Sequence, residues 1–215
     1  MAMKDLEILE LYRLSLHNAE SQPEIAGVMA EFGYGPEKLA EGHAVLASAW
    51  AGYDTSKTEK NETKAAYHAF DTKKDSLAAR YAMDRKKAKT VFIDEPVIME
   101  RLDVAGSLPR AYIRWLDTVK TFYAVSLKDP EIQERLSFLK ITPEHLNETY
   151  AMIEEVEAAR ALYIQEIGES QNATKLKDAA FAKVDDYMRK FYATSRIALA
   201  ESPQLLESLG KLVRS

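Results

Sequence analysis

The sequence predicts an all-α protein made of two copies of one antiparallel, up-and-down helical bundle unit. Three observations lead there. Apolar residues recur at spacings of three and four, the period of a helix with one buried face; Leu39, His43, Leu46, Trp50 and Tyr53 form one such seam. Only 8 glycines and 7 prolines occur in 215 residues, too few for the turns of an all-β chain. Finally, landmarks return after 107 residues. Pro23-Glu24-Ile25 reappears as Pro130-Glu131-Ile132, and Pro36-Glu37-Lys38-Leu39 as Pro143-Glu144-His145-Leu146. Pro96, Glu100 and Leu102 reappear as Pro203, Glu207 and Leu209.

The spacing predicts a first helix over 4–19 with an apolar stripe of Leu6, Ile8, Leu9, Tyr12 and Leu16. A short helix follows from Pro23, since proline is tolerated in a first turn, and ends at Gly33-Tyr34-Gly35. A longer helix begins at Pro36. Residues 54–64 are wholly polar and read as a hairpin loop, with one continuous exposed helix as the alternative. The chain would then return as a helix over 62–92, followed by a cap helix after Pro96. Gly106-Ser107 joins the units. The second unit repeats the plan. Its first helix spans 108–127, and short and long helices start at Pro130 and Pro143. The long helix stops near Gly168. A last seam of Phe181, Val184, Met188, Phe191, Ser195 and Ala198 follows. The expected units are therefore 1–107 and 108–215, tightly packed or merged into one body.

Composition narrows the function classes. There is no cysteine, which excludes disulfides and thiolate chemistry. Net charge is −5, so neither half is a basic module and nucleic acid is not an expected partner. No apolar run approaches the roughly 18 residues of a membrane span. No signal-peptide core follows the first methionine, and the expected location is the cytoplasm. None of the four histidines has a carboxylate three residues before it, which argues against a di-iron bundle site. Phosphate-loop, dinucleotide and nucleophile-elbow patterns are missing too. No catalytic residue, metal or cofactor is expected.

Ser195-Arg196-Ile197-Ala198-Leu199, with Pro203-Gln204-Leu205-Leu206-Glu207-Ser208-Leu209-Gly210, resembles the C-terminal tail of a family of uncharacterised bacterial helical proteins. That resemblance implies a helical fold and carries no activity or site.

The informative positions are those where the two copies disagree on the seam. Lys74 stands where the second copy has Phe181, and Asp84 where it has Phe191. His43 stands opposite Tyr150, and Trp50 opposite Glu157. A hairpin turning near Thr58 would bring His43 level with Lys74. A polar group inside a bundle is costly unless satisfied, so His43, Trp50, Lys74 and Tyr81 are the candidate lining of a small ligand pocket. The simpler reading is a seam that drifts out to solvent with Lys74 snorkelling. On that reading Asp84→Ala costs much less than Phe191→Ala. The leading functional expectation is a non-enzymatic interaction or structural module that self-associates or binds a protein partner. The alternative is a small-molecule binding protein with its pocket in the first bundle.

Overall fold

The computed structural model describes residues 4–210, and every element in it is a helix. They are α1 (Asp5–Ser21), α2 (Pro23–Glu31), α3 (Pro36–Val91), α4 (Pro96–Arg101), α5 (Tyr112–Lys128), α6 (Pro130–Ser137), α7 (Pro143–Ala198) and α8 (Leu205–Ser208). Prolines open five of them. At a first helical position the missing N–H has no intrahelical partner to lose, and the fixed φ suits the helix. Pro203 instead leads the turn before α8. Asp129 caps α6, its carboxylate accepting from the Glu131 and Ile132 N–H groups, a cap typically worth about 1 kcal/mol. No helix among the described residues is long and apolar enough to cross a membrane.

The hairpin over 54–64 does not form. α3 runs unbroken for 56 residues through Lys57–Lys60, so the continuous-helix alternative is the one observed. The stretch is polar but holds neither glycine nor proline, and its residues cost at most about 0.7 kcal/mol each relative to alanine. Ser56 is buried within it. Gly168 does not end a helix either, because α7 passes through it for the same 56 residues. One glycine costs about 1 kcal/mol in a helix interior, too little to stop a helix with buried faces on both sides of it. A proline distinguishes a rod from a loop. Thr58 is exposed, so Thr58→Pro should lower the unfolding free energy by about 3 kcal/mol, with Thr58→Ala as the neutral control. A proline variant as stable as the alanine variant would contradict the continuous helix.

With no hairpin, the compact units differ from the two sequence halves. One unit comprises residues 1–61 and 168–215, the other 62–167. Each long helix gives one part of itself to each unit. In the first unit the core takes Leu9, Leu16, Ile25, Met29 and Leu46 from the start of the chain, and Val184, Met188, Phe191 and Leu209 from its end. The seam of Phe181, Met188 and Phe191 therefore packs against α1 and α2 and not against α5 and α6. α3 and α7 run antiparallel here. The Tyr187 hydroxyl donates to the Lys38 carbonyl at 2.5 Å, and a Cβ on Gly52 would lie 3.1 Å from the Lys177 Cα. At that approach any side chain at position 52 presses on backbone.

In the second unit Leu77, Tyr81, Phe92 and Leu102 pack with Val119, Phe122, Tyr123, Ile132, Leu136, Leu146 and Ile153. α3 and α7 are again antiparallel, tied by Thr63 Oγ1 to the Glu166 carbonyl at 3.1 Å and by Lys73 to Glu155 at 2.5 Å.

Local geometry repeats at the displacement seen in the sequence. α5 and α7 have the bounds of α1 and α3 shifted by 107. The positive-φ residues do the same: Gly33 (84°) matches Lys140 (64°), and Asp103 (50°) matches Gly210 (73°). Gly33 and Lys140 end α2 and α6 in left-handed caps. The Tyr34 N–H reaches the Met29 carbonyl at 2.9 Å, and the Ile141 N–H reaches the Leu136 carbonyl at 3.2 Å, each satisfying an orphan carbonyl of the last turn.

Candidate functional site

Asp84 is the buried charge of the second unit, only 1% exposed. It sits on α3 with the α5 residue Tyr123 and the α7 residue His145 aimed at the same carboxylate oxygen. The Tyr123 hydroxyl donates to Oδ2 at 2.8 Å, and His145 Nε2 lies 2.6 Å from it. Arg80, one helical turn earlier on α3, places a guanidinium nitrogen 3.1 Å from His145 Nδ1. The same guanidinium donates to Glu148 at 2.8 Å. Polar groups thus run from a fully buried phenol and carboxylate, through an imidazole, to an ion pair at the surface.

Hydrogen-bond valence fixes the imidazole. A guanidinium has donors only, so Nδ1 accepts from Arg80 and the ring proton sits on Nε2, pointing at Asp84. Every member of the chain is then satisfied, the condition under which a buried polar network holds elements in one register instead of weakening them. Its chemistry is positional: Tyr123 and Asp84 are closed to solvent, and the network joins α3, α5 and α7. In the first unit the positions 107 away hold no carboxylate, and their one charged residue, Lys38, pairs with Glu41 at 2.5 Å near the surface. Phe191 stands for Asp84, Leu16 for Tyr123, Lys38 for His145 and Tyr187 for Arg80.

Burial, then the charge of the adjacent Asp84, holds the Tyr123 phenol far above its ordinary range. Burial likewise pushes Tyr81 up to about 12. A raised folded-state pKa means that, above the ordinary phenol value near 10, the unfolded chain loses protons that the folded chain keeps. Stability is therefore intact below about pH 10 and falls as pH rises further, by about 1.4 kcal/mol per pH unit for each such tyrosine. Tyr123→Phe should make the alkaline fall in urea-unfolding free energy less steep. An identical slope in the variant would contradict the placement of Tyr123.

The residues expected to share a pocket do not meet. His43 and Trp50 belong to the first unit, Lys74 and Tyr81 to the second, because the hairpin that would have levelled them is absent. Lys74 lies at the surface, paired with Asp71 at 2.7 Å and Asp75 at 3.3 Å. His43 faces Glu20 at 3.3 Å, Trp50 packs edge-on against Tyr53, and Tyr81 is core. Asp84 was recognised in the sequence as a mismatch, but its partners were not. Tyr123 over Leu16 and Arg80 over Tyr187 are also mismatches at the displacement of 107. They fall in different sequence halves, and only the continuous α3 and α7 bring them into one unit.

A second feature lies where α2 or α6 meets the C-terminal end of a long helix. In the second unit Arg135 on α6 forms a two-pronged pair with Glu95, one contact being 2.9 Å. It also donates to the Val91 carbonyl at 3.3 Å, and its guanidinium carbon stands 4.5 Å from the centre of the Phe92 ring. The pairing holds the Glu95 carboxyl below its usual range. Around this clamp Ile93, Val97 and Phe138 are 68%, 69% and 79% exposed. In the first unit the corresponding place is a groove of about 760 Å³, lined by apolar side chains including Val28, Phe32, Ile197 and Leu205.

Comparison with known proteins adds no relative: no family model, curated protein or solved structure matches the chain.

Proposed function

We propose that this is a non-enzymatic helical interaction module that presents apolar side chains to a protein partner or to a second copy of itself. One observation carries the reading. Ile93, Val97 and Phe138 stand 68–79% exposed on segments that the Arg135–Glu95 pair holds together. Single exposed apolar residues are ordinary, but a group of large ones on a fixed surface marks an interaction site. The repeated helix bounds support a second part of the reading, that a helical unit was duplicated. A photocrosslinking benzoylphenylalanine at position 138, compared with one at the exposed polar position 154, tests the proposal in the native cells. A discrete adduct from 138 and none from 154 is expected. Uncrosslinked protein from both sites would sink the reading.

A second reading, small-molecule binding, is favoured by a different place from the one the sequence indicated. Tyr112, Ile113, Leu116, Arg160 and Ile164 line a groove of about 440 Å³ in the second unit, with the Arg160 guanidinium 4.2 Å above the Tyr112 ring. A thermal shift with a metabolite panel that disappears in Arg160→Gln would bring this reading forward. A panel that shifts neither protein would remove it.

A further inference from the structure

We infer that the groove between α2 and the end of α7 receives an arginine side chain from a partner protein, carried on an amphipathic segment. The inference rests on the interaction-module reading and says where the partner docks and what it must present. The second unit shows what the architecture holds at this place. There the guanidinium of Arg135 lies over Phe92 and donates to Glu95 and to the Val91 carbonyl at the end of α3. In the first unit the residue 107 before Arg135 is Val28, and the residue 107 after Glu95 is Ser202. The clamp has lost both its cation and its internal anion, and the groove lined by Val28, Leu199 and Ser202 remains open.

The charge left around the opening is complementary to the missing group. Glu24, Glu31 and Glu201 line the groove and no lysine or arginine does. The α7 C-terminus supplies carbonyl ends with partial negative charge, as the end of α3 does for Arg135. Phe32 and Ile197, 47% and 66% exposed, offer apolar surface beside it. A guanidinium suits such a site better than an ammonium. It is planar, more weakly hydrated and can bond several acceptors at once. Apolar residues flanking the arginine would cover Phe32 and Ile197, as in helix-in-groove recognition.

The test fills the groove from within. Val28→Arg with Ser202→Glu rebuilds the clamp of the second unit, and its folding is checked by thermal unfolding. Glu31→Lys is the companion variant, since it changes only an exposed rim charge. A phage-displayed library of randomised helical peptides is selected on the full-length wild-type chain. The expected winners carry arginine flanked by apolar residues. They should bind wild type at least about tenfold more tightly than either variant, a difference of about 1.4 kcal/mol. Replacing that arginine by citrulline should cause a similar loss. Peptides that bind wild type and both variants equally would overturn the groove assignment while leaving the interaction reading in place. No enriched peptide on wild type would overturn both. Sedimentation showing self-association that the double variant abolishes would put a second copy in the groove and overturn the separate-partner inference.

Discussion

Asp84→Ala should destabilise the protein by about 3–5 kcal/mol, the range for removing one member of a buried, paired set. Truncation leaves the buried Tyr123 hydroxyl and the half-buried His145 Nε2–H without their shared acceptor. It also leaves Arg80 directed at an imidazole that no longer has a reason to hold its tautomer. The seam comparison leads to the opposite expectation, a small loss, because a polar residue on a drifting seam usually faces water. Asp84 does not face water. A double-mutant cycle identifies the cause. Tyr123→Phe alone removes one hydrogen bond to a charged group, worth about 1.5–3 kcal/mol. Asp84→Ala with Tyr123→Phe should cost less than the two single losses together, since the second change removes a group that the first has already orphaned. The coupling should fall in the range of about 0.5–3 kcal/mol typical of contacting pairs. Additive losses in urea unfolding would show that the two side chains do not share a bond.

The all-α class and the starts of five helices were legible because they depend on local signals, namely apolar spacing and proline placement. The displacement of 107 was legible too, and it reappears in the helix bounds and in the paired left-handed residues. The course of the chain between 54 and 64 was not. A wholly polar stretch says only that no face is strongly buried, which is true both of a loop and of a helix with little apolar contact. The absence of glycine and proline there was the better guide. A turn placed where the helix continues misplaces everything dependent on it: the partner of the Phe181–Phe191 seam, the meeting of His43 with Lys74, and the pocket built on that meeting. The Asp84 network was half legible, since a mismatch between copies marks a changed environment without saying which residues satisfy it. The clamp at Arg135 was not legible at all, because Val28 and Ser202 are unremarkable residues until the structure shows what stands in their places in the other unit.

Phe191→Ala should cost about 3–5 kcal/mol, the range for deleting a buried phenylalanine ring. Phe191 is fully buried and sits among aromatic neighbours. Its ring centre lies 5.4 Å from that of Tyr34 and 5.5 Å from that of Tyr192, both in edge-to-face geometry. Such pairs add about 0.5–1.5 kcal/mol beyond area burial. The neighbours cannot easily close the hole. Tyr192 is held by its hydroxyl to Ser15 Oγ at 2.7 Å, and Ser15 in turn donates to the Leu209 carbonyl at 2.9 Å. Tyr34 is fixed at the left-handed turn after α2 by its N–H bond to Met29. A ring deleted from between anchored neighbours leaves a cavity, and the cost rises with the volume that relaxation fails to fill. The location of the damage is as diagnostic as its size. Hydrogen exchange in Phe191→Ala should quicken in α1, in α2 and in residues 184–198, because these segments share one core with Phe191. Faster exchange confined to α5 and α6, or a loss below about 1 kcal/mol, would mean that the end of α7 does not share a core with α1 and α2.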